Sequence, residues 1–202
     1  MKTNFFGNID FAVNNIICKI YDIHDIECNQ KYDGYNYSNH LKSVVNIMTK
    51  YAPDNLDNIT FYIYKIAAAG HDTIEDARMT YNDIVKLIES NFKVYKIDYS
   101  NFDSFPIKVA DIIYALTDEK GKNRAERHSP KYWEGIENTD GAAFIKCCDR
   151  LANIEHSIKT NSRMVDVYKK EYHEFLSHIM NSVDYKNRIL HNVMDEIHKL
   201  SI

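Results

Sequence analysis

Turn-forming residues are scarce in this chain. It has six glycines and three prolines in 202 residues, too few to punctuate a many-stranded sheet, and that scarcity favours long helices. The four cysteines, Cys18, Cys28, Cys147 and Cys148, show neither a C-x-x-C spacing nor the pattern of a secreted disulfide framework, so Cys147 and Cys148 read as reduced core residues. No apolar run reaches membrane-spanning length, and Met1 to Phe6 lack the apolar stretch of a signal peptide. The expectation is a cytoplasmic protein with no membrane partner. A global basic field is also missing. The net charge of −4 argues against nucleic acid as a partner and requires any anionic ligand to be held by a local patch or a metal.

What remains is an ordinary folded composition, 45% apolar and 27% charged, in a length that suits one domain with a real core. Apolar spacing marks helices over about 10–23, 38–51, 58–70 and 140–159, and a further pair over about 165–180 and 183–200. Ser38 reads as an N-cap, Thr80-x-x-Asp83 as a helix start, and Pro106 as a first-turn residue of a helix carrying Val109, Ile112, Ile113 and Leu116. Residues 28–36 read as a loop, 93–104 as a polar stretch with room for a short extended piece, and 123–133 as a short exposed helix. The expected architecture is all-α: a single irregular helical bundle over residues 1–160, with a C-terminal hairpin over 161–202 that packs on the core or serves a homo-oligomer interface.

The densest chemistry lies at Gly70-His71-Asp72-Thr73-Ile74-Glu75-Asp76, directly after the apolar run Ile66-Ala67-Ala68-Ala69. Unpaired charge at the end of a buried helix is costly, and a bound cation removes the cost. His40 and Asp149 complete a set of two imidazoles and two carboxylates. That set suits a mid-series divalent ion, with Mn²⁺ first and Zn²⁺, Fe²⁺ or Co²⁺ as alternatives, and leaves positions for water and a substrate oxygen. If the helix persisted past His71, Glu75 and Asp76 would share a face with Asp72. Crowding there would raise one carboxyl pKa, which favours an acid role.

In the order H…HD…D, the chain resembles the HD-domain phosphohydrolases, and more narrowly the (p)ppGpp hydrolase branch, the hydrolase half of RelA/SpoT proteins and their small stand-alone relatives. The resemblance covers residues 10–160. It rests on Tyr37-Ser38-Asn39-His40, on Ala67-Ala68-Ala69-Gly70-His71-Asp72-Thr73-Ile74-Glu75-Asp76, on Ala115-Leu116-Thr117, and on Lys146-Cys147-Cys148-Asp149-Arg150-Leu151-Ala152-Asn153. It implies His40, His71, Asp72 and Asp149 as metal ligands and Glu75 and Asp76 as catalytic carboxylates. It also implies Asn153 and Lys31 as nucleotide contacts, and release of pyrophosphate from a 3′-diphosphate. The loop over 31–37 is about one residue shorter than the usual form, and the basic pair before it is reduced to Gln30-Lys31.

Lys122, Arg124 and Arg127 form a basic stretch able to clamp phosphates, against a plain solvated helix face as the alternative. Arg150 reads equally as a substrate contact or an internal ion pair. Trp133 reads as a packing anchor, and His24, His128, His156, His173, His178, His191 and His198 as surface residues. Another nucleotide phosphate, such as a nicotinamide dinucleotide phosphate, another alarmone or a cyclic dinucleotide, stands as the alternative substrate. A non-catalytic nucleotide-binding regulator stands as the alternative function.

Overall fold

The structure, a computed structural model, describes residues 3–102 and 104–202, and the side chains of residues 9–100, 102 and 104–202. It is an all-α bundle. The segments are α1 (Thr3–Asp22), a π-helical turn Ile23–Glu27, α2 (Ser38–Tyr51), α3 (Asn58–Gly70), α4 (Tyr81–Val94), α5 (Phe105–Leu116), α6 (Arg124–Arg127), α7 (Pro130–Asn138), α8 (Ala142–Lys159), α9 (Met164–Asn181), α10 (Val183–Lys186) and α11 (His191–Ser201).

α3 is the centre. Its residues from Tyr62 to Gly70, apart from Lys65, are buried, and it packs against α1, α2, α5 and α8. A helix that is apolar on every side has nowhere to sit but the middle of a bundle. Its start is capped by Asp57, whose side chain accepts from the Ile59 and Thr60 amides. The small residues of its last turn admit close neighbours: a Cβ on Gly70 would stand 2.9 Å from Ile113 Cδ1. On α2, Leu41, Val44, Val45 and Met48 form the buried stripe, at the spacing of one helix face.

α8 is held at its N-terminus from a distance. Asp184 on α10 is fully buried, and its carboxylate accepts from the Gly141 and Phe144 amides at 2.8 and 2.9 Å. Burial pushes this carboxyl up to about 6 against the pull of those N–H groups. α9, α10 and α11 pack on α8, with Tyr172, Phe175, Ile179, Val193, Met194 and Ile197 in the common core. Cys147 and Cys148 are buried free thiols in that core, and Trp133 is buried with them.

Several local expectations change. Ser38 is the first residue of α2 rather than its cap, and its amide is taken up by Asp25 Oδ1 at 2.9 Å from the π-helical turn. The Thr80–Asp83 capping box is present in full, and a proline stands in the first turn of α5. The loop over 28–36 contains a two-strand hairpin, β1 (Lys31–Tyr32) and β2 (Tyr35–Asn36). Its turn residues Asp33 and Gly34 have φ of 50° and 82°, the positive pair that a tight two-residue hairpin turn needs. Residues 93–104 hold the end of α4 and a 3₁₀ turn at Ser100–Phe102, with no strand among the described residues. The exposed helix expected over 123–133 is two helices, because Ser129 caps a new start at Pro130 and buries Tyr132 and Trp133. The final helix breaks between α10 and α11. No helix among the described residues is long and apolar enough to cross a membrane.

Candidate metal centre

Three helices deliver four donors to one point. His40 sits in the first turn of α2, His71 caps the C-terminus of α3, Asp72 follows it, and Asp149 lies midway along α8. His40 and His71 are buried, with their Nε2 atoms 3.3 Å apart. Asp72 Oδ2 lies 2.8 Å from His71 Nε2 and 3.8 Å from His40 Nε2. Asp149 Oδ1 lies 3.3 Å from His40 Nε2 and 3.6 Å from His71 Nε2. A cation bound at about 2.1 Å from each donor requires neighbouring donors roughly 3 to 4 Å apart. The His40, His71 and Asp72 donors lie close enough together to share one cation, with Asp149 Oδ1 beside both imidazoles.

The local chemistry prepares these donors. His71 Nδ1 lies 3.0 Å from the Ala68 carbonyl, which only accepts, so Nδ1 keeps its hydrogen and Nε2 is the atom turned to the cluster. The Tyr37 hydroxyl donates to Asp72 Oδ2 at 2.7 Å, and Asn153 Nδ2 donates to Asp149 Oδ1 at 2.6 Å. Burial opposes charge on His71, but the carboxylates of Asp72 and Asp149 overcome it and push the imidazole well above its ordinary range. Burial likewise opposes charge on the two acids. His71, joined by His40, still pulls Asp72 down to about 2, and Lys146 with the two imidazoles holds Asp149 well below the carboxylate range. Lys146 Nζ lies 3.5 Å from Asp149 Oδ2, while the imidazoles lie nearest Oδ1. With cation-ready geometry and two ionised acids in a buried site, the donor set fits a divalent ion.

α3 does not continue through Glu75 and Asp76. The chain leaves it as a series of turns held by Thr73 N to Gly70 O (3.0 Å) and Asp76 N to Asp72 O (2.8 Å), so the face shared with Asp72 survives as a single turn. Both carboxylates reach the surface. Glu75 Oε2 accepts from the Asp118 amide at 3.4 Å. Partial burial, then Asp118, Asp72 and Asp76, push the Glu75 carboxyl up to about 6.

The residues expected to touch substrate are placed less simply. Lys31 is exposed and bonded to Asn36 Oδ1 at 2.7 Å. Lys122 is exposed, and its amide bonds Glu126. Arg124 pairs with Glu171 at 2.8 Å and Arg127 with Asp118 at 2.9 Å. Arg150 is buried, pairs with the same Glu171 at 3.0 Å, and lies over the rings of Phe175 and Tyr168. Arg124 and Arg150 line one side of a cavity of about 260 Å³ with His128 and Glu174. Asn153 is engaged on both ends, donating to Asp149 and accepting from Tyr32.

Sequence reasoning gave no role to Tyr32, Tyr37, Lys146 or Asp118, all of which touch the donors or Glu75. Tyr37 and Lys146 stand within the quoted motifs, and Tyr32 flanks the Asp33-Gly34 turn; nothing local marks Asp118. The surface reading fails for His24, which is fully buried, bonds Gln30 at 2.6 Å and stacks on Tyr37. His128, His156, His178 and His198 have partners in Asp118, Asp33, Glu137 and Tyr172. Comparison of the chain with protein-family models, with curated proteins and with solved structures gives no match.

Proposed function

We propose that this protein is a metal-dependent phosphohydrolase of the HD-domain type acting on a nucleotide, with a (p)ppGpp-like 3′-diphosphate as substrate and pyrophosphate as product. The observation that carries this reading is the meeting of His40 with the adjacent His71 and Asp72 in a group able to hold a cation, with Asp149, remote in sequence, beside both imidazoles. A divalent ion held there supplies a water of lowered pKa and neutralises phosphoryl charge.

The chain's own residues do the rest. Asp72 and Asp149 stay ionised, and the Tyr37 and Asn153 hydrogen bonds hold them in place. Glu75, pushed up to about 6, is mostly carboxylate at neutral pH. It is therefore suited to accept a proton from the attacking water first and to return it to the leaving oxygen afterwards. Asp76 stands on the same turn as Asp72 and assists in the charge balance. A cleft of about 450 Å³ opens beside His40, lined by Tyr32, Tyr35, Asn39, His156 and Lys159. Its size is that of small-molecule sites, and its aromatic and cationic walls suit a base and its phosphates.

One observation favours a different nucleotide phosphate over (p)ppGpp. Asn153 and Lys31, the two nucleotide contacts implied by the resemblance, are both bonded within the protein. A panel of guanosine tetraphosphate, nicotinamide dinucleotide phosphates, deoxynucleotides and cyclic dinucleotides, assayed with Mn²⁺ and with product identification, decides between them. Pyrophosphate from the tetraphosphate supports the first reading. Turnover confined to another member supports the second. Binding without turnover of any member contradicts hydrolysis and supports a regulator.

A further inference from the structure

The β1–β2 hairpin has no catalytic carboxylate and no metal donor, yet one of its side chains touches one of the four donors and reaches a second through Asn153. The Tyr32 ring stacks on the His40 imidazole, with centroids 4.7 Å apart and planes within 20°. Its hydroxyl donates to Asn153 Oδ1 at 2.6 Å. Asn153 turns its other end to Asp149, donating from Nδ2 to the Asp149 carbonyl at 3.0 Å and to Oδ1 at 2.6 Å.

An amide has two ends of nearly equal shape and opposite polarity. The Asp149 carbonyl and carboxylate only accept, so the nitrogen faces them and the oxygen is left to accept from the Tyr32 hydroxyl. With the amide reversed, its oxygen would meet Asp149 Oδ1, acceptor against acceptor. Asp149 therefore sets which end of Asn153 is nitrogen, and the Tyr32 hydroxyl, donating to the amide oxygen, holds the side chain in that place. The hairpin itself is held to α8 one turn further on, where His156 lies 3.1 Å from Asp33. Asp149, Asn153 and His156 follow one another at the spacing of a single helix face.

We propose that Tyr32 is a positioning residue of the metal centre, setting His40 by stacking and Asp149 by anchoring the Asn153 amide that donates to it. This rests on the reading of His40, His71, Asp72 and Asp149 as metal ligands. It makes the hairpin a clasp on the cation, and it gives Asn153 to the metal rather than to a nucleotide base.

The test is a Co²⁺ titration of the full chain, by competition with a chromophoric chelator and by the visible absorption of the bound cobalt. The variants are Tyr32→Phe, Asn153→Ala, both together, and Asp149→Ala. Loss of a group that orients a ligand costs roughly 10–100-fold in metal affinity, and Asn153→Ala is expected in that range. Tyr32→Phe keeps the ring and loses only the hydroxyl. It is expected near the lower end, about tenfold, with a shifted cobalt spectrum. In the Asn153→Ala background the same change is expected to cost nothing more, because the hydroxyl acts through the amide. Unchanged affinity in Tyr32→Phe, or an equal loss in both backgrounds, overturns the role of Tyr32 while wild-type binding and its loss in Asp149→Ala leave the metal reading standing. A wild-type chain that takes up no Co²⁺ overturns both.

Discussion

Partial burial, reinforced by Asp118, Asp72 and Asp76, pushes the Glu75 carboxyl up to about 6. Its ionised form is the one needed to accept a proton, so turnover is expected to rise as pH climbs through about 6. A pH–rate profile checks this, and Glu75→Gln is expected to lose the limb along with about 10²–10⁴-fold of kcat while metal content stays unchanged. His71→Ala or Asp72→Ala is expected to lose metal and turnover together, read by metal analysis alongside the assay. His71 and Asp72 stand out in the sequence at the end of an apolar helix, whereas His40 and Asp149 have no local signal and come from the order H…HD…D of the family that the chain resembles. The partners of the arginines are not legible there. Arg150 and Arg127 are neutralised by Glu171 and Asp118, whose positions depend on how α9 and the segment after α5 fold back. A residue list cannot show that a charge offered to a substrate is already answered inside the protein.

Among the elements, α8 carries the heaviest duty, since it presents Asp149, Lys146 and Asn153 from one helix. Its N-terminus depends on a single buried carboxylate 43 and 40 residues away from the amides it binds. Asp184→Ala leaves those two N–H groups without a partner, and the expected cost is about 2–4 kcal/mol. For a chain of this size that is a fall in Tm of roughly 5–15 °C, measured by calorimetry. An unchanged Tm would show that α8 holds its position without this cap. The helices themselves were legible wherever apolar spacing was strong, as in α2, α3 and α8. The reading failed where a break is local and polar: the Ser129 cap that splits residues 123–133, and the Asp33-Gly34 turn that makes a hairpin out of an expected loop. Asp184 carries no sequence signal at all, because its purpose exists only after α10 has packed on α8.

Across the whole molecule, the proposed metal site and the fold form one thermodynamic system. Without metal, His71 gains its proton affinity from Asp72 and Asp149, so its folded-state pKa lies above the ordinary 6.5. The stability it contributes is complete below that ordinary value and is lost as pH rises through the higher folded one. A cation must displace the same proton, so metal affinity is expected to increase with pH over that interval. The rise in Tm on adding Mn²⁺ is accordingly expected to be larger at pH 8 than at pH 6, and a thermal-shift series with and without chelator checks the sign. At a metal concentration of 1,000 times Kd the stabilisation is about 4 kcal/mol. Helices α2, α3 and α8 meet only in the folded chain, so the decisive comparison joins the most remote donor to the central pair. Metal analysis of the purified wild-type chain and of Asp149→Ala, after equal exposure to Mn²⁺ and removal of the excess, makes it. The expected result is about one cation per wild-type chain and none in the variant while its helical content is preserved. Equal metal content in the two, or none in the wild type, would contradict the convergence on which the proposed hydrolysis depends.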